Sequence, residues 1–241
     1  METFLGVISE HLASVLSSVI AGYMSAQDIQ FVSNRMTPAQ MCEYGLSGGY
    51  PAAIVCGVEH GTPPTLRMMH MAASHGNISM MDQLRQHMCP WAAVIPSIAA
   101  IHGHLKAVRW LIERGCPVSR DLPGITASMG HMHILRWLDA HGMEFSERTC
   151  AFAAESGDIS VMQWLRKSHC DKHECDGCKK TITPWNKATC EYAAEYNQLG
   201  LLQWLRSQDP PCPWDSSTVW EADVSGHHEI HQWAIANGCP V

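Results

Sequence analysis

A period of 27 residues constrains this chain more than any other feature. Gly49, Gly76, Gly103, Gly130 and Gly157 fall 27 residues apart without exception, and two further copies centre on Asn197 and Gly226, at spacings of 40 and 29. The register holds slot by slot. Seven residues after these positions stand Cys56, Gln83, Trp110, Trp137, Trp164, Trp204 and Trp233; one later stand Gly57, Leu84, Leu111, Leu138, Leu165, Leu205 and Ala234. Four before them stand Gly45, Ala72, Ala99, Thr126, Ala153, Ala193 and Ala222. Self-similarity at a fixed period of this size is the mark of a solenoid, whose units bury their apolar faces against one another. Seven units, with insertions of 13 and 2 residues, fill 38–241. The expected fold is all-α: seven stacked helix pairs, with a helical cap at 1–37.

Each unit reads as two short helices. In the fifth, Ser146 caps a first helix over Glu147–Ser156. Its Ala153-Ala154 pair is small enough for a neighbouring backbone to approach, and Gly157 ends it in a left-handed conformation. Asp158 starts a second helix, with Ile159, Met162 and Leu165 as its apolar stripe. Gly115-Cys116-Pro117 shows how most second helices stop, because Pro cannot continue a helix. Thr37-Pro38 opens the first unit, Pro being suited to a first helical turn. The end units depart from the pattern, with Pro51, Cys56 and Gly57 in the first and His228, His231 and Ala234 in the last. An end unit has one face without a neighbour, where polar substitution serves as a cap. The Trp series, one per unit beside the Leu slot, is expected in the core, Trp110, Trp137 and Trp164 above all.

Composition narrows the function. The net charge is −7 with only 16 Lys and Arg, so there is no basic stripe for nucleic acid. Of the 11 cysteines, Cys89, Cys116, Cys170 and Cys239 share one slot, with Cys212 just beyond it, and Cys42, Cys150 and Cys190 share another. Cys repeated at equivalent positions is packing rather than a disulfide framework, and points to a reduced, cytoplasmic protein. The longest uncharged N-terminal run, Leu12–Gln27, is 16 residues, short of a membrane span and without the preceding basic residue of a signal peptide. Leu5, Ile8, Leu12, Leu16, Val19, Ile20 and Met24 fit an amphipathic helix instead. A monomer without membrane contact is expected.

Ala99-Ala100-x-x-Gly103-His104-Leu105, followed by Gly115, resembles the second half of the ankyrin repeat position for position. Ala72–Gly76, Ala153–Gly157 and Ala222–Gly226 match it in part. The opening Thr-Pro-Leu-His of that family is absent, and the period is 27 against 33. The missing residues fall where the family has its β-hairpin finger. The chain thus resembles the shortened, 27-residue ankyrin type of protists and large viruses, with little or no strand.

The resemblance implies a protein-binding module rather than an enzyme, and no Ser/His/Asp grouping, phosphate loop or motif-placed carboxylate pair is present. The family's variable contact positions include the two residues between the Ala pair and the Gly. In this chain they are Ser74 and His75, Ile101 and His102, Ser128 and Met129, Glu155 and Ser156, Glu195 and Tyr196, and Val224 and Ser225. They form the last exposed turn of each first helix, lined along one concave face, where a partner protein would dock.

Two stretches lie outside this pattern. The insertion at 171–183 splits an ordinary turn and carries Cys175-x-x-Cys178. Those thiolates, with Cys170 and His169 or His173, have the makings of a tetrahedral zinc site; the alternative is an exposed polar loop without metal. No other cofactor is expected. Residues 12–36 are similar in part to an F-box, without its usual opening Leu-Pro and with shorter internal spacing. That similarity carries the alternative function, a substrate adaptor of a cullin-type ubiquitin ligase; otherwise 1–37 simply covers the open end of the repeats.

Overall fold

The structure is a computed structural model and describes residues 36–167 and 183–241. The expected N-terminal helix, the F-box-like stretch, and Cys170, His173, Cys175 and Cys178 therefore lie outside the described residues. Among the described residues there are fourteen α-helices and no strand. They come in consecutive pairs: α1 (Pro38–Gly48) with α2 (Pro51–Glu59), α3 (Leu66–Ser74) with α4 (Ile78–Gln86), and α5 (Val94–Ile101) with α6 (Leu105–Glu113). Then follow α7 (Leu122–Ser128) with α8 (Met132–Ala140), α9 (Glu147–Ser156) with α10 (Ile159–Arg166), α11 (Lys187–Glu195) with α12 (Leu199–Arg206), and α13 (Ser216–Val224) with α14 (His228–Ala236). Each first helix packs on its own second helix, and α3, α5, α7, α9, α11 and α13 also pack on one another in that order. No helix among the described residues is long and apolar enough to cross a membrane.

The turn inside every pair is made the same way. Gly49, Gly76, Gly103, Gly130, Asn197, Gly157 and Gly226 all take positive φ, from 61° to 75°. Glycine adopts this conformation freely, and Asn is the next best tolerated residue. The Ala pairs at 72–73, 99–100, 153–154 and 193–194 are fully buried, so the first helices meet on residues with almost no side chain. Thr126 replaces an Ala in α7 and is equally buried; its hydroxyl donates to the Leu122 carbonyl at 2.7 Å, which removes the cost of burying it. Capping follows the sequence: Thr37 and Gln40 form a reciprocal capping box before Pro38, and the Asp158 carboxylate accepts from the Ser160 amide at 2.8 Å.

The first unit departs from the pattern for a packing reason rather than as a polar cap. A Cβ on Gly57 would lie 2.5 Å from Cys42 Sγ and 2.5 Å from the Pro38 carbonyl oxygen, so α1 and α2 touch too closely for the Leu of other units. Cys56 and Gly57 are both buried. The last unit does show polar substitution, with His228 exposed and His231 half-buried.

The connection from one pair to the next is a repeated construction. The thiols of Cys89, Cys212 and Cys239 donate to the carbonyls of Thr65, Asn186 and Asp215, at 3.3, 3.4 and 3.2 Å. Each acceptor is the capping residue that opens the first helix of the same unit. The aromatic residue that follows the turn stands edge-on to the Trp of the next second helix. The centroid separations are 6.4 Å for Trp91–Trp110, 5.8 Å for Phe145–Trp164, 6.3 Å for Trp185–Trp204 and 5.9 Å for Trp214–Trp233. Arg85, Arg166 and Arg206 lie over Trp91, Trp185 and Trp214 at 4.0, 3.9 and 4.0 Å. The same guanidinium groups donate to the carbonyls of Cys89, Thr183 and Cys212.

Two expectations change here. Trp110 is buried, at 8% exposure, but Trp137, Trp164, Trp204 and Trp233 are only half-buried. Their rings seal the outer edge of a turn against another aromatic instead of filling the interior; Trp137 has Val118 where the others have an aromatic, and stacks on His141 at 4.0 Å. The insertion also rejoins the pattern one residue earlier than its spacing suggests. The Thr183 amide donates to the Leu165 carbonyl at 3.3 Å, the bond that Cys89, Cys116 and Cys239 amides make to Leu84, Leu111 and Ala234. Thr183, 2% exposed, thus holds the place that the period assigns to Cys170.

Burial pushes the thiols of Cys89, Cys116 and Cys239 up to about 11 and that of Cys150 to about 12, from an ordinary 9.0; the Arg85 charge opposes the shift at Cys89 and Cys116. The folded state therefore keeps protons that the unfolded chain releases. The stabilisation is complete below about pH 9 and is lost as pH rises through 11 to 12, so denaturant midpoints should hold up to pH 9 and fall steeply above it. Met88, 84% exposed at φ 63°, occupies the second turn where Gly115, Gly142 and Gly238 also have positive φ. Met88→Gly should stabilise by about 1 kcal/mol in chemical denaturation, and Gly115→Ala, whose Cβ would meet nothing within 4 Å, should cost about as much.

Candidate functional site

The contact positions expected from the sequence sit at the ends of the first helices, one pair per unit. His75, Ile101, His102, Met129 and Tyr196 are exposed, while Ser74, Ser128, Glu155, Ser156 and Glu195 are half-buried. Val224 and Ser225 are exposed on α13. Because α3 to α13 pack in sequence, these positions succeed one another along one face of the structure.

The backbone beneath them is fixed from the neighbouring unit. His104 Nε2 donates to the Ser74 carbonyl at 3.0 Å, His131 Nε2 to Ile101 at 3.0 Å, Gln198 Nε2 to Glu155 at 3.0 Å and His227 Nε2 to Glu195 at 2.9 Å. Each acceptor lies two residues before the turn residue, among the last carbonyls of a first helix, which have no partner within that helix. Each donor stands one residue after the next turn residue. The donor's path crosses the preceding glycine. A Cβ on Gly76 would lie 2.7 Å from the His104 ring, one on Gly103 3.0 Å from His131, and one on Gly157 2.1 Å from Gln198. At these three positions glycine therefore serves twice, for its φ and for the crossing; with Asn197 in the same slot the His227 bond still forms. Asn77 and Asp158 in the same slot turn onto their own helices and accept from the Met80 and Ser160 amides.

Sequence reasoning missed these donors, although the signal was present. His104, His131, Gln198 and His227 share one slot, and all can present an N–H of similar reach.

The face has two different halves. Around α9, α11 and α13 it is aromatic and acidic: Phe152 and Tyr192 meet edge-on at 5.9 Å, and Tyr192 stacks with Tyr196 at 6.2 Å. Burial and then the Glu195 charge raise the Glu155 carboxyl above the ordinary range, against a lowering hydrogen bond from Ser128. Burial, Glu195 and Glu191 likewise raise Glu221. The Tyr196 phenol is raised chiefly by the Glu155 charge. The carboxylates thus crowd one another across three units.

His102 and His104, and His131 and His133, approach as pairs, with centroids 6.3 and 5.7 Å apart. Among the described residues no three His, Cys, Asp or Glu converge as a metal site. No protein-family model matches the chain, and no curated protein matches it.

If the inter-unit bond is what matters at position 104, identity is secondary to an N–H at the right reach. His104→Leu should lower stability by about 1 kcal/mol, and His104→Gln should restore most of it, as Gln198 does in its own unit. Gly76→Ala should cost more than Gly115→Ala, since it adds a clash with the His104 ring to the same backbone strain. Urea denaturation followed by circular dichroism measures all of these.

Proposed function

We propose that the chain is a protein-docking module: a shortened ankyrin-type solenoid of seven units whose first-helix face binds a partner protein. The observation that carries this reading is the split between backbone and side chain at the contact positions. The carbonyls of Ser74, Ile101, Glu155 and Glu195 are tied to the next unit at 2.9–3.0 Å, while the side chains above them are half-buried or exposed and differ from unit to unit. A rigid backbone carrying varied side chains lowers the ordering cost of association. The helix pairing, the row of first helices and the left-handed turn residue in every unit support the solenoid. The 27-residue register and the Ala-Ala-x-x-Gly-His-Leu text support the ankyrin resemblance. The module has no catalytic role in this reading and works inside the cell, without a nucleic acid or membrane partner.

The test is affinity capture from the native cell with variants that leave the fold intact. Ile101→Asp and Tyr196→Ala alter the exposed ends of α5 and α11, and should remove a partner that Lys106→Ala and Glu113→Ala, on the second helix α6, retain. Equal retention by all four, with unchanged melting temperatures, would place binding elsewhere.

A further inference from the structure

The first-helix face is not uniform, and the difference points to the partner's chemistry. At the positions six, five, two and one before the turn residue, the second to fourth units carry no carboxylate. The fifth to seventh carry Glu155, Glu191, Glu195 and Glu221 there, interleaved with Phe152, Tyr192, Tyr196 and Trp220. Trp220 is 60% exposed. It borders an open cavity of about 500 Å³ that Glu191, Glu221, Asp223 and His231 also line.

Two cations of these units are already engaged, and Arg148 also lies over the Phe152 ring at 5.7 Å. Lys187 lies 2.7 Å from Asp215 and 3.6 Å from Glu191, and Arg148 lies 3.3 Å from Asp121. Burial, and after it the charge of Glu195, raises the carboxyls of Glu155 and Glu221, so Glu195 acts on a carboxylate in each neighbouring unit. A basic side chain arriving from outside would relieve that repulsion and find Trp220 beside Glu191 and Glu221, and Tyr196 beside Glu155 and Glu195, the two features that hold an ammonium or guanidinium group.

We infer that this half of the face binds a Lys- or Arg-bearing extended segment of the partner, with one basic side chain entering the cavity beside Trp220. The inference rests on the docking reading given above. Packed helices lie about 8–10 Å apart, so α9 to α13 spans roughly 20 Å, which about six extended residues cover. Basic residues two or three positions apart would meet successive units.

The probe is an octapeptide of alternating Lys and Gly carrying a fluorophore, titrated with the full chain at 50 mM salt and followed by anisotropy. Saturable binding is expected, weakening as salt rises. Glu195→Gln/Glu221→Gln should weaken it about tenfold. Glu59→Gln/Glu113→Gln, which removes the same charge elsewhere, should change it less than twofold. Absent binding, equal losses in the two double variants, or equal affinity for an octapeptide of alternating Glu and Gly would each overturn the inference. The native partner separates this failure from failure of the docking reading. A partner lost on Ile101→Asp but kept by Glu195→Gln/Glu221→Gln leaves the docking face standing and removes the basic segment. A partner indifferent to both removes the face itself.

Discussion

The bond from the donor just after one turn to the last-turn carbonyl of the preceding first helix is the interaction on which the stacking depends. It can form only if two first helices come close, and they come close on small buried residues: an Ala pair in α3, α5, α9 and α11, Thr126-Ala127 in α7 and Ala222 in α13. At Gly76, Gly103 and Gly157 the preceding turn residue also leaves the donor's path clear, whereas the His227 bond forms with Asn197 in that slot. Three slots of the period thus answer to one contact: the small pair lets the helices meet, the glycine opens the way, and the polar residue closes the bond. These carbonyls are part-buried or, at Ile101, exposed, so each bond is worth about 0.5–1.5 kcal/mol at the junction where it forms.

The connection between units rests on a second set of bonds, all within reach of one turn. A left-handed residue reverses the chain, a buried thiol ties the reversal to the start of the same unit, and an arginine covers the aromatic that follows. No strand is needed to span the gap among the described residues, because the thiol and the guanidinium take up the carbonyls that a longer connection would have to satisfy otherwise. Thr183 shows that the position matters more than the residue. After thirteen inserted residues it re-enters with the amide bond to Leu165 that the cysteine slot makes in other units.

The helix pairs were legible because their boundaries depend on local chemistry: a left-handed Gly, a capping Ser or Asp, a Pro after a turn. The candidate contact positions were legible for the same reason, since they are counted from the turn residue along one helix. What the sequence did not disclose depends on neighbours 19 to 43 residues away. The edge-on contacts of Trp110 with Trp91 and of Trp164 with Phe145 join residues from successive units. The inter-unit donors hid behind changing identity, His in three units and Gln in a fourth, a slot that only the acceptor carbonyl unifies. The aromatic and acidic half of the face was invisible because Phe152 and Tyr192 stand 40 residues apart and meet only once α9 and α11 pack.

This separation of backbone from side chain explains how a strict period can coexist with a varied surface. Substitution at a position two before the turn changes what faces a partner but leaves the carbonyl, and hence the junction, in place. Ser74, Ile101, Glu155 and Glu195 make the same backbone bond with a hydroxyl, an alkyl group and two carboxylates above it. Stability therefore places little constraint on the side chain there, whereas the Ala, Gly and donor slots are each tied to a contact. The charge difference between the two halves of the face consequently costs the fold little. No junction requires a carboxylate at 155 or 195, since Ser74 and Ile101 make the same backbone bond.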